Sequence, residues 1–269
     1  DAAARLKAQG AISLKNYNQP RRDQRQMVVT AAREAGLNVV AEGGSLYHMD
    51  MTIVADGNTG VEHNVPPERF YDDMMQFWTG TDVGYTPTLV VNYGGLRGET
   101  YFYQHSDVWT HPLLSRFVPP DVLQPRSVRR TMAPDLDYQP VFDAAANAKR
   151  LMERGVSVHS GAHGQREGLG THWELWAFVK GGMSPLQALK TATINPARYM
   201  GLDADIGSLE PGKLADLVII DGNPLADIRD SDKVDRVMLN GRLYDAATLD
   251  ETVTGNRRTA PFYWQRSRQ

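Results

Sequence analysis

The side chains with chemistry to offer are the seven histidines and the charged residues that close short apolar runs. Residues 11–14 end at Lys15, residues 37–41 end at Glu42-Gly43-Gly44, and Gly60-Val61-Glu62 ends at His63. The run 156–160 is followed by Gly161-Ala162-His163. There is no cysteine, which removes disulfides, thiol nucleophiles and thiolate metal sites. A metal ion here would be held by His, Asp, Glu or a modified Lys. The chain has no Gly-x-Ser-x-Gly elbow, no complete P-loop and no His-Glu-x-x-His pair. Gly43-Gly44 and Gly94-Gly95 read as turns.

These residues need elements to position them. Residues 1–9 read as the end of a helix stopped by Gly10. After Pro20, apolar residues at Met27, Val28, Ala31, Ala32 and Ala35 recur with helical spacing, and Gly36 closes the helix. Further helices are expected over 47–56, 66–78, 141–155 and 171–181, the second with prolines at its start. Short strands are expected over 11–14, 37–41, 60–63, 85–91 and 156–160. Alternating strands and helices predict a parallel sheet with crossover helices, a fold that sets its chemistry where strands end.

The connection 92–139 far exceeds the usual ~4–6 residues and reads as a lid or pocket wall. Its tyrosines and Trp109 argue for order. His105 and His111 lie on it as candidate substrate contacts, the alternative being a packed aromatic loop. From residue 206 the texture changes to a small β-module, 206–245. It has a strand over 215–221 and a hairpin over 232–244 that turns at Asn240-Gly241. The remaining 246–269 is a polar, basic tail without an assigned role.

With 29 basic and 32 acidic residues the net charge is −3, which argues against a sequence-independent nucleic-acid binder. Hydrophobic residues make up 41% and are dispersed, and no run reaches the ~18–20 residues of a membrane span. The 269 residues suffice for one large domain or two modest ones. The lack of cysteine leans toward a periplasmic or secreted setting. The opening Asp1-Ala-Ala-Ala-Arg5 is not a basic-then-apolar leader, and without Met it does not read as a translation start.

The stretch MSPLQALKTATINPARYMGLDADIGSLEPGKLADLVIIDGNPL, beginning at Met183, resembles the C-terminal signature of the metal-dependent amidohydrolase superfamily. That signature runs T-x-N-P-A, then G-S-L-E-P-G-K-x-A-D-L-V, then V-x-x-V-x-x-x-G, the last piece being 234–241 here. The likeness is to imidazolonepropionase- and prolidase-like members. Gly161-Ala-His-Gly-Gln165 and Thr171-His-Trp-Glu-Leu-Trp176 resemble the type carried behind a TolB-like propeller in bacterial envelope proteins. The resemblance implies an α/β fold, a TIM-type (β/α)8 barrel with a small β-sandwich, of which this chain holds strands 4–8 over 1–205 and part of the sandwich. No His-x-His of the family's first strand occurs, so a fragment of a longer polypeptide is expected. Its exposed edges would make it self-associate or need the missing N-terminal part.

The resemblance also implies a binuclear centre: a carboxylated Lys on strand 4, His on strands 5 and 6, and Asp on strand 8. Lys15 and His63 fall on the first and third positions. Glu42 stands where strand 5 would place His, and His163 where strand 8 would place Asp. A carboxylate and an imidazole have thus exchanged places. We expect a rearranged site for one or two divalent ions, zinc foremost, held by Lys15, Glu42, His63 and His163. His163 is the expected general acid/base, with a ligand role as its second possibility, because an imidazole can carry the proton that the family's Asp carries. Arg21, His105 and His172 are candidate substrate contacts. The bland readings are a solvated Lys15, a solvated helix start at Arg21, and relics of a lost metal site. The implied activity is hydrolysis of an amide, cyclic amide or peptide-like C–N bond in a small-molecule or peptide-like substrate. The rival readings are an ester or lactone hydrolase and a non-catalytic barrel module.

Overall fold

A computed structural model describes residues 2–265, apart from 18, 45 and 67. The chain alternates helix and strand: α1 (Ala2–Ala8), β1 (Ser13–Asn16), α2 (Arg22–Glu34), β2 (Asn38–Glu42), α3 (Tyr47–Ala55), β3 (Gly60–Glu62), α4 (Asp72–Thr79) and β4 (Gly84–Thr86). The helices α5 (Gly98–Gln104), α6 (Pro112–Phe117), α7 (Pro120–Ser127), α8 (Gln139–Glu153), α9 (Leu169–Lys180), α10 (Pro185–Thr191) and α11 (Ile194–Tyr199) follow. The strands β5 (Leu217–Ile220), β6 (Val234–Leu239), β7 (Arg242–Asp245) and β8 (Glu251–Thr252) complete the chain. No helix among the described residues is long and apolar enough to cross a membrane.

Strands β1 to β4 form a parallel sheet in sequence order. Because side chains alternate across a strand, its two faces differ in kind. Ala41, Val61 and Tyr85 lie side by side, with Val158 bridged to Tyr85, and all four are fully buried on the helix-covered face. The opposite face carries Lys15, Val40, Gly60 and Gly84 in one row and Glu42, Glu62 and Thr86 in the next. Tyr199 at the end of α11 lies across the two glycines. A Cβ on Gly60 would strike its hydroxyl, and one on Gly84 would sit 2.7 Å from Cε1 of His159.

The expected strand over 85–91 stops at Thr86. Pro87 has no N–H for a ladder, Thr88 turns left-handed at φ 52°, and Leu89–Val91 form a 3-10 turn. The expected strand over 156–160 meets β4 only around Val158, where Tyr85 N–H donates to Ser157 O and His159 N–H to Tyr85 O, each at 2.9 Å. The helix expected from residue 66 begins at Asp72 instead. Phe70 is pinned before it, its N–H donating to Asn147 Oδ1 at 3.1 Å and its carbonyl accepting from Arg150 Nη1 at 2.7 Å.

The long connection 92–139 is not a loop but largely helical, with α5, α6 and α7 inside it. Tyr101, Phe102 and Tyr103 of α5 are buried, and the Phe102 ring stacks on Trp173 of α9 at 5.5 Å. In the C-terminal module β5 to β8 form one antiparallel sheet. Its hairpin turns through Asn240 at φ 46° and Gly241 at φ 78°, the paired left-handed residues of a tight two-residue turn. Strand β8 extends this sheet into the stretch read as tail, Glu251 pairing with Tyr244.

Candidate active site at the strand ends

Three of the expected metal-site residues follow directly from the ends of neighbouring strands. Lys15 is in β1, Glu42 is the last residue of β2, and His63 follows β3. The Lys15 Nζ lies 2.6 Å from Glu42 Oε2, and His63 Nε2 lies 3.8 Å from Glu42 Oε1. The fourth, His163, arrives from the far side of the sheet with its ring 5.1 Å from that of His63, edge to face. The face of His63 is covered by Tyr93, stacked at 4.7 Å. Glu42 and His63 are buried, whereas Lys15 is half-exposed.

Glycines explain the close approach. Gly43 N–H donates to Glu62 O at 2.8 Å, and a Cβ there would sit 2.9 Å from the same oxygen. A Cβ on Gly161 would lie 2.6 Å from Thr86 Cγ2 and 2.9 Å from Thr88 Oγ1, so only glycine lets the 161–164 turn fold over the end of β4. Three non-glycine residues at adjacent strand ends are left-handed: His63 at φ 71°, Thr88 at 52° and His163 at 54°. Such conformations cost about 1–3 kcal/mol each and cluster where geometry serves a function.

Burial lowers the His63 imidazole below its ordinary range, which the Glu42 carboxylate partly offsets. Its neighbour Glu62 is pushed up to about 7, chiefly by burial, although hydrogen bonds from Thr86 and Tyr199 and the Lys15 charge oppose the rise. Asp50, whose Oδ1 accepts from Gly44 N–H at 2.9 Å, is likewise raised by burial to about 7. His159 lies on the same sheet face as Glu62 and stacks on Tyr199 at 4.2 Å. Burial lowers it to about 4. The sequence singled out none of Glu62, Asp50, His159 or Tyr199. The period-two alternation could have placed Glu62 beside Glu42, but Tyr199 enters from a helix with no such signal.

The donors suit a divalent ion in kind: one carboxylate and two imidazoles, with His63 Nδ1 buried and without a hydrogen-bond partner. In their present arrangement they do not enclose one. Among the described residues no three His, Asp or Glu side chains are grouped to hold a metal ion. The Lys15 ammonium already occupies a Glu42 oxygen.

Three expected substrate contacts lie apart from this cluster. Arg21 is exposed and pairs with Asp23 through Nη2 at 2.6 Å. His105 Nε2 meets Asp135 Oδ1 at 2.8 Å within the helical excursion. His172 Nδ1 meets Ser231 Oγ at 3.1 Å and lines a separate, apolar cavity of about 420 Å³ with Phe117, Val122 and Val237. His111 borders that same cavity. None of the four strand-end residues does.

Residues 138–244 match the family model for the amidohydrolase family. Over this stretch the chain is similar to that family. An imidazolonepropionase from Symbiobacterium thermophilum is 39% identical over 79 residues, covering 28% of this chain and 19% of that protein. Adenine deaminase 1 from Carboxydothermus hydrogenoformans is 40% identical over 72 residues, covering 27% of this chain and 11% of its own length. Among solved structures, a Xaa-Pro dipeptidase with methionine in its active site superposes with a TM-score of 0.65 at 23% identity. It covers 91% of this chain and 57% of its own. At that identity the likeness is one of fold alone. The chain thus spans little more than half of its structural neighbour and under a fifth of these curated relatives.

Proposed function

We propose that this chain contributes to a metal-dependent hydrolase that cleaves an amide, cyclic amide or peptide-like C–N bond with water. The reading rests on one observation: Lys15, Glu42, His63 and His163 converge at the C-terminal ends of parallel strands, where such folds carry their chemistry. The amidohydrolase-family match over 138–244 supports it. So do relatives named for removing an amino group or splitting a dipeptide, both of which break a bond to nitrogen.

Glu42 and His63, with Lys15 carboxylated to a carbamate, would hold one or two divalent ions, zinc by donor type, leaving the ring nitrogen of His163 free for the proton. When bound, the ion would lower the pKa of its water toward 7 and polarise the scissile carbonyl. His163 takes a proton from the attacking water at its ring nitrogen and returns it to the leaving nitrogen, the work an imidazole performs near neutral pH. Tyr93 shields one face of His63 from bulk water and keeps its ring in place.

A second reading, a non-catalytic barrel module, is favoured by the direct Lys15–Glu42 ion pair. A panel of amide and ester substrates, assayed with zinc on the wild-type chain and on His163→Ala, separates the readings. The hydrolase reading expects zinc-dependent turnover, amides before esters, that His163→Ala abolishes. A chain that binds zinc and turns over neither class is the binding module instead.

A further inference from the structure

The ring of His163 is held by a side-chain chain that begins at Glu99, 66 residues before Gln165. Its Nδ1 lies 3.2 Å from Gln165 Oε1, and Gln165 Nε2 donates to Glu99 Oε1 at 2.8 Å. Glu99 is buried at the start of α5, with Arg97 Nη1 at 3.6 Å from the same oxygen. The backbone of Gln165 is fixed as well, its carbonyl accepting from Arg126 Nη1 at 3.0 Å and its N–H donating to Ala162 O at 3.2 Å.

This arrangement has a consequence for His163. A carboxylate beside an arginine accepts hydrogen bonds and does not donate them. The Gln165 amide must therefore turn its NH2 to Glu99, because the opposite orientation would set two acceptors against each other at 2.8 Å. That leaves the Gln165 carbonyl oxygen facing His163, and a carbonyl oxygen only accepts. The hydrogen in that contact must then sit on His163 Nδ1.

We propose that Glu99 and Gln165 are positioning residues that lock His163 as its Nδ1–H tautomer. They thereby present the Nε2 lone pair at the strand ends as base or metal donor. Left to itself, a histidine ring favours the Nε2–H form, which would leave no lone pair at that nitrogen. Such an orienting partner typically governs which ring nitrogen is available. The use made of the lone pair rests on the hydrolase reading, but the tautomer does not.

The test is long-range 1H–15N correlation on the metal-free, 15N-histidine-labelled full chain, at a pH where the ring is neutral. Assignment is by loss of one ring pattern in His163→Gln. The expected result is a strongly downfield, unprotonated Nε2 and an upfield, protonated Nδ1. In Glu99→Gln, where the Gln165 amide is free to flip, and in Gln165→Met, the two shifts should move toward the reverse pattern. An Nε2–H ring in the wild-type chain overturns the proposal whatever the variants do. If the wild-type ring is Nδ1–H but stays so in a folded Gln165→Met chain, Gln165 is not the cause and the proposal fails. A locked tautomer in a chain that takes up no zinc and hydrolyses nothing would reject the hydrolase reading and leave this inference standing.

Discussion

The Lys15 ammonium and the buried Glu42 carboxylate are 2.6 Å apart, joining the ends of β1 and β2 at the point where His63 approaches from β3. With a plain amine at Lys15, the carboxylate is neutralised by its neighbour. With a carbamate there, two anionic groups would face each other, and only a cation between them would make that stable.

Zinc uptake should therefore depend on both residues and on dissolved bicarbonate, the source of the carbamate. We expect near-stoichiometric zinc by plasma mass spectrometry after reconstitution with bicarbonate, and a loss of at least about ten-fold in His63→Ala and Glu42→Gln. Lys15→Ala should bind more weakly and lose the bicarbonate effect. Equal zinc in all four proteins would reject the site.

The left-handed backbone at His63, φ 71°, predicts an inverted order of two substitutions. An alanine there keeps the steric penalty of that conformation, while a glycine does not. Metal-free His63→Gly should be more stable than His63→Ala by about 1 kcal/mol, roughly 2 °C in Tm. Elsewhere in folded elements the order is the reverse, so an alanine variant as stable as the glycine variant would contradict this geometry.

Glu174 on α9 is fully buried, its Oε1 accepting from Val90 N–H at 3.3 Å, and burial pushes it up to about 8 from 4.5. The folded chain keeps this proton until about pH 8, whereas the unfolded chain releases it near 4.5. Unfolding thus releases a proton between those values, and this group's contribution to stability falls as the pH rises through that window. Glu174→Gln should show a shallower decline of Tm from pH 5 to 8 than the wild type. Parallel curves would show that the group is ionised in the fold.

The seat of Tyr199 over the sheet predicts a packing clash with rescue. Gly60→Ala drives a methyl into the Tyr199 hydroxyl and should cost about 1–3 kcal/mol. Because the two positions touch, the double variant Gly60→Ala with Tyr199→Ala should lose less than the two single losses added together. Strict additivity, read from denaturant melts, would place Tyr199 elsewhere.

What local pattern carries was legible in the chain. Helical periodicity announced α2, α8 and α9. Asn240-Gly241 turned the hairpin as expected. The strand ends at Lys15, Glu42 and His63 were marked by apolar runs that stop at a polar residue. These features were readable because each depends on residues within a few positions of one another, where side-chain period and turn chemistry act directly.

Only the tertiary structure decided the rest. It brought His163 over His63 through the tight seat of Gly161 on Thr86 and Thr88. It set Glu99 against Gln165 across 66 positions, laid Tyr199 over Gly60 and Gly84, and turned His172 toward Ser231, away from the strand ends. Contacts between distant segments depend on how helices and strands pack, and packing leaves no periodic trace in the order of the residues. The same packing turned the aromatic stretch 92–139 from an expected loop into helices, because Tyr101, Phe102 and Tyr103 found Trp173 and Phe142 to bury against.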